Sequence, residues 1–172
     1  MIYFTIRLFK LFTGLFLYSL GIVFTMKANI GYAPWDVFHA GLSRTFGMTI
    51  GTASIIVGAV LIVITVIMGE KIGLGTLLNM VLIGLFLDFL MNLTLIPVMK
   101  TWLPGLALLI AGLFVISFAS YFYIGSGFGA GPRDSLMVAL TRKTGLRVGF
   151  CRGSIEMTAV IIGWLLGGMA GA

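Results

Sequence analysis

The amino-acid sequence predicts an all-α membrane protein, an inverted-repeat helical bundle with five spans present. Three observations carry this prediction. First, 60% of the 172 residues are apolar and 9% charged, against about 25% charged in soluble domains; the mean hydropathy is +1.17. Second, the apolar residues form continuous runs near the roughly 20 residues a helix needs to cross a hydrocarbon core. Backbone groups in lipid must pair within the structure, so spans are helices or closed barrels, and runs without apolar–polar alternation exclude a barrel. Third, the stretch Gly31-Tyr32-Ala33-Pro34-Trp35-Asp36 recurs 98 residues later as Gly129-Ala130-Gly131-Pro132-Arg133-Asp134.

Taken in order, span one covers about Phe4 to Met26, with Arg7 and Lys10 near its start. It resembles a signal peptide but lacks a small-residue cleavage site and precedes further spans, so it reads as a retained helix. The first Gly-x-x-Pro-x-Asp joint follows. Pro34 suits the first helical position, where its missing N–H costs nothing, and Asp36 then falls near the positive end of the helix dipole. The resulting helix, 34–46, is too short to span and is either interfacial or re-entrant; Gly47 ends it. Span two covers about Ile50 to Met68, and a tight glycine-rich turn from Gly69 to Gly75 leads to span three, about Thr76 to Leu95. Span four covers about Leu103 to Ile124. The second joint and a second short helix, 132–144, precede span five, about Val148 to Leu166.

The net charge of +6 points to topology rather than to nucleic acid, because the basic residues flank the apolar runs. A single cysteine, Cys151, excludes an internal disulfide and any cysteine cluster for zinc. No ATP-binding loop is present, so active transport would be secondary or use a separate motor subunit.

The 98-residue shift aligns 11–74 with 109–172 without a gap. Identical pairs include Gly14/Gly112, Ser19/Ser117, Pro34/Pro132, Asp36/Asp134, Arg44/Arg142, Gly47/Gly145, Gly69/Gly167 and Gly73/Gly171. Shared apolar bias does not supply a proline, an aspartate, an arginine and a set of glycines in one register, so the chain reads as a first repeat, 1–98, and a second, 99–172. The second copy stops inside the motif before a counterpart of span three, and six spans are expected in a full-length chain. Three spans per repeat put the copies in opposite orientations. With the N-terminus inside, Arg7, Lys10, Lys71, Arg133, Arg142, Lys143 and Arg147 face the cytoplasm, against Lys27, Arg44 and Lys100 outside. Inverted repeats with an interrupted element in each are a transporter signature.

The pattern Gly31-x-x-Pro34-Trp35-Asp36-Val37-x-His39-x-Gly41-Leu42-Ser43, with Gly47-x-x-x-Gly51 and Gly73-x-Gly75-Thr76, resembles the YczE-type bacterial membrane proteins, related to the YitT-like group. The resemblance covers essentially the whole chain. It implies a multi-pass protein of about six spans in the bacterial inner membrane, and it implies no activity and no catalytic residues.

The candidate substrate, ion or proton site comprises Asp88, Glu156, Arg152, Asp36, Asp134 and His39. An ionisable group inside a span is costly unless it faces a bundle interior or wet cavity, which singles out Asp88 and Glu156. Arg152 precedes Glu156 by four residues and so shares its helix face, where a structural ion pair is the plainer reading. Asp36 and Asp134 read as helix-starting acids or as cation or proton ligands. His39 shares a face with Asp36, and an interfacial, locally bonded histidine is expected there. A helix N-terminus beside Arg133 also suits an anion. Gly31, Pro34, Gly129 and Pro132 read as structural joints. No metal site, cofactor or nucleophile constellation is expected, so the chain is read as a non-enzyme. Tyr18, Tyr121, Tyr123, Trp102 and Trp164 are read as packing or belt aromatics, with cavity lining as the alternative. The expected partners are the lipid bilayer and a small-molecule or ion substrate, with a homo-oligomer or membrane partner also open. The leading expectation is a small secondary transporter, and the alternative is an accessory or regulatory membrane protein that moves nothing.

Overall fold

The computed structural model of the chain describes residues 2–93 and 95–168. Within these lie seven α-helices and no strand: α1 Ile2–Lys27, α2 Pro34–Phe46, α3 Ile50–Ile67, α4 Leu74–Asn92, α5 Trp102–Gly125, α6 Pro132–Thr144 and α7 Val148–Leu165. All except α2 and α6 are long and apolar enough to cross a membrane. Large apolar side chains cover the outside, among them Phe9, Val60, Phe114 and Leu165. In water such a surface is an association site; in a bilayer it is ordinary lipid contact.

The 98-residue shift reappears in the helix bounds. Pro34–Phe46 maps onto Pro132–Thr144, and Ile50–Ile67 onto Val148–Leu165. Both short helices carry proline in the first turn and end on a left-handed glycine, Gly47 at φ +66° and Gly145 at φ +69°. The predicted counterpart of Gly73, Gly171, lies outside the described residues.

Helix α1 is the central element and packs on α5 and α4. Leu11, Leu15 and Val23 are fully buried there, beside Leu87 and Tyr123. The pairing with α5 is antiparallel and rests on small residues. A Cβ at Gly14 would lie 2.7 Å from Tyr123 N, and one at Gly105 2.6 Å from the Ala28 carbonyl oxygen. Contacts this close let backbones meet without side chains between them. Ser19 secures the α4 side: its hydroxyl donates to the carbonyls of Leu15 and Ile83 at 3.0 and 3.3 Å.

The short helices are exchanged between the halves. Helix α2 packs mainly on α7, and α6 mainly on α3. Helix α2 crosses α7 at glycines, where a Cβ at Gly163 would lie 2.5 Å from Phe38 N and one at Gly41 2.5 Å from the Gly163 carbonyl oxygen. Ala139 and Thr65 occupy the corresponding positions of the other crossing, and both are fully buried. An arginine closes each exchange. Arg44 Nη1 donates to the Gly167 carbonyl at 3.3 Å; Arg142 Nη2 donates to that of Met68 at 3.5 Å and lies 3.1 Å from Glu70 Oε1. The last carbonyls of a helix lack intrahelical partners and carry partial negative charge, so a cation is favoured there. The paired Arg44/Arg142 and Gly69/Gly167 thereby acquire a physical reason.

Span three differs from its expected start. Helix α4 begins at Leu74, two residues before Thr76, with Gly75 inside its first turn. The free N–H of Gly75 donates to the Phe128 carbonyl at 2.8 Å, and Thr76 Oγ1 donates to that of Ala130 at 2.6 Å. The segment from Gly73 to Thr76 thus straps the second joint. Gly129 there has φ +120° and meets Gly73 Cα 3.1 Å from its would-be Cβ, so both glycines are required by the close approach.

Candidate functional site

The two joints converge on one cavity of about 150 Å³. Trp35 and His39 of α2 line one side, Arg133 and Asp134 of α6 another, and α1, α3, α4, α5 and α7 supply the remainder. The N-terminal turns of the short helices meet there: Arg133 Cζ sits 5.0 Å from the centroid of the Trp35 ring, a cation–π contact. Each helix points its unsatisfied N–H groups, the positive end of its dipole, toward this region.

His39 is 1% exposed and faces the cavity. Helix α2 is held against the bundle by its glycine contact with α7, which encloses the imidazole in protein. Burial, aided by the charge of Arg133, holds the imidazole well below its ordinary pKa, so it is neutral at pH 7. Its Nδ1 lies 4.0 Å from Asp36 Oδ1, too far for a hydrogen bond; with the ring neutral, this contact is not an ion pair. Asp36 itself is buried in the first turn of α2. Burial pushes its carboxyl up to about 6, and the field of Arg133 works against that rise.

Asp134 and Arg133 lie on the cavity wall, and neither has a hydrogen-bond or ion-pair partner among the described residues. Arg152 and Glu156 line it too, joined by a 2.8 Å contact from Nε to Oε1. Their pair is largely uncovered by protein, which puts it at the mouth. Of the aromatics, Tyr18 and Tyr123 line the cavity, whereas Tyr121, Trp102 and Trp164 are exposed at the outside. Ser54, Asn79 and Ser120 complete the polar lining. Their own segments do not join them: each lies among apolar residues of a different helix, and only the meeting of those helices gives them a common surface.

Asp88 lies elsewhere. Its Oδ1 accepts from the Gly51 N–H at 2.8 Å, and its Oδ2 accepts a short hydrogen bond from the Thr49 hydroxyl. Thr49 is the N-cap of α3, and its Oγ1 also accepts from the Thr52 N–H at 3.1 Å. Asp88 therefore satisfies orphan donors at the start of α3, and the structure does not bring it together with the other candidates.

The profile of DUF6198, a family of unknown function, matches residues 5–171. An uncharacterized membrane protein, YczE of Bacillus subtilis (strain 168), is 38% identical over 162 residues, covering 93% of this chain and 74% of its own. An uncharacterized protein of Haemophilus influenzae is 29% identical, covering 84% of this chain and 65% of its own. The uncharacterized protein YyaS of Bacillus subtilis is 26% identical, covering 74% and 64%. No solved structure matches the chain.

Proposed function

We propose that this chain, which belongs to the DUF6198 family and is a YczE-like membrane protein, is a small secondary transporter of the bacterial inner membrane. It moves its solute through the cavity between two copies of one inverted unit and performs no covalent chemistry. The observation that carries this reading is the convergence of both short helices, N-terminus first, on a polar cavity lined from both halves. Broken helices that point their ends at a central site are the recurrent architecture of such carriers.

Two further features support it. Helices α1 and α5, equivalent under the 98-residue shift, run antiparallel, as copies of opposite orientation do. The exchange of α2 onto α7 and of α6 onto α3 has the form of a twofold relation, with the cavity where the two exchanged elements meet. The distribution of basic residues favours a cytoplasmic N-terminus.

Alternating access requires that the cavity open to both faces of the membrane. Met137 lines it, and the single cysteine, Cys151, is buried. A Met137→Cys variant in a Cys151→Ser background is treated with a membrane-impermeant maleimide in right-side-out and inside-out vesicles. Labelling from both faces is expected. Labelling from one face alone, or from neither, overturns transport and favours an accessory role.

A further inference from the structure

The charges around the cavity fall into two groups. Arg152 and Glu156 neutralise each other at the mouth. Arg133 and Asp134 do not, although they are neighbours in sequence: successive residues on a helix point about 100° apart. Arg133 faces α2, where it lies over Trp35 and its field acts on Asp36 and His39. The fields of Arg133 and Asp134 both reach Tyr18, and that of Asp134 extends to Tyr123 and Arg152. The cavity thus presents one cation and one anion, neither with a hydrogen-bond or ion-pair partner among the described residues. Tyr123 supplies an independent sign of a missing partner. It is 3% exposed, lines the cavity, and its buried hydroxyl has no hydrogen bond among the described residues. Buried hydroxyls in folded proteins are nearly always bonded to protein, water or ligand. Ile22, Val57 and Ile83 provide apolar wall between these groups.

A ligand with one net charge would pair with Arg133, which is half-buried, or with Asp134, which is exposed, and give the other no counter-charge. A zwitterion satisfies both. We propose that the cavity binds a small zwitterion of the amino-acid type, its carboxylate at Arg133 and the N-termini of α2 and α6, its ammonium at Asp134 with the Tyr123 hydroxyl accepting a hydrogen bond. This names the substrate class of the same site and rests on the transport reading only for the steps after binding.

The test is equilibrium binding to the full chain in lipid nanodiscs. Glycine, L-alanine and L-leucine are each compared with their two singly charged analogues: acetate and methylamine, propionate and ethylamine, 4-methylpentanoate and 3-methylbutylamine. At least one zwitterion is expected to bind about tenfold more tightly than both of its analogues. Arg133→Gln should erase its advantage over the amine, Asp134→Asn its advantage over the carboxylate, and Arg133→Lys should restore part of the former. An analogue that binds as tightly as its parent, or failure of all three zwitterions to bind, overturns the assignment; the unmodified chain decides this even if a variant does not fold. Zwitterion binding with one-sided labelling of the cavity sinks transport alone. Two-sided labelling without a zwitterion preference sinks the substrate class alone.

Discussion

The two joints share a proline, an aspartate and a closing glycine, yet they have different chemistry. In the first, Asp36, Val37 and His39 are buried and Trp35 and Phe38 half-buried, with the acid and imidazole held toward their neutral forms. The second, Arg133-Asp134-Ser135-Leu136-Met137, brings two charges to the cavity wall. Their crossings differ as well: α2 meets α7 glycine to glycine, where the other crossing has Ala139 and Thr65. One backbone device, used twice, thus yields two crossings of different closeness. Asp36 and Asp134 hold the same place in each copy, one buried and one exposed, and Arg133 stands where the first copy has Trp35.

The comparison breaks most sharply at the tight crossing. A Gly163→Ala change places a methyl 2.5 Å from backbone of α2, an overpacking that costs about 2–3 kcal/mol. Thr65→Ala, at the matching position, removes a buried methyl and a hydroxyl that bonds its own helix at Leu61 and should cost about 1–1.5 kcal/mol. Thermal unfolding in detergent measures both; equal losses would remove the distinction between the crossings.

Next in size is the pH dependence of the buried acid. Its folded value of about 6 stands above its ordinary 3.8, so between these values the folded chain holds a proton that the unfolded chain has lost. The Asp36 contribution therefore falls as pH rises from about 4 to 6 and levels off above, while the buried neutral His39 works in the opposite sense below its ordinary 6.5. Asp36→Asn should remove the fall and leave the rise from His39 in an unfolding series over this range.

Asp88→Ala should cost about 1 kcal/mol, the usual loss of an N-terminal cap, and leave the Met137→Cys labelling pattern unchanged. A labelling change would return Asp88 to the site. The smallest effect separates the two arginines. Arg142 adds the Glu70 carboxylate to its carbonyl contact, whereas Gly168 stands where Glu70 has its counterpart. Because the Arg142 side chain is 57% exposed, its pair is worth roughly 0.5 kcal/mol and is screened by salt. A double-mutant cycle of Arg142→Gln with Glu70→Gln should return that coupling at low salt and lose it at high salt.

The spans and joints were legible because their signals are local. Apolar runs, a proline at a helix start and a glycine at its end are read within one segment, and the predicted 34–46 and 132–144 match α2 and α6 residue for residue. The site was legible only in part. Asp134, His39, Arg152 and Glu156 reach the cavity, and the charge of Arg133 beside the joint was visible. Ser54 was not, and Tyr18, Tyr123 and Asn79 were visible only one by one, since their common surface arises from helices far apart in sequence. Asp88 misled for the same reason: an acid within an apolar run looks functional until the neighbouring helix start, at Thr49 and Gly51, is placed beside it.

The exchange of short helices also bears on how the chain is made. Helix α2 leaves the ribosome early, but α7, the element that buries it, emerges more than a hundred residues later. At roughly 5–20 residues per second, α2 waits for several seconds with Asp36 and His39 unhoused. The first joint is thus housed only once α7 arrives, so a late-made span completes the packing of an early short helix.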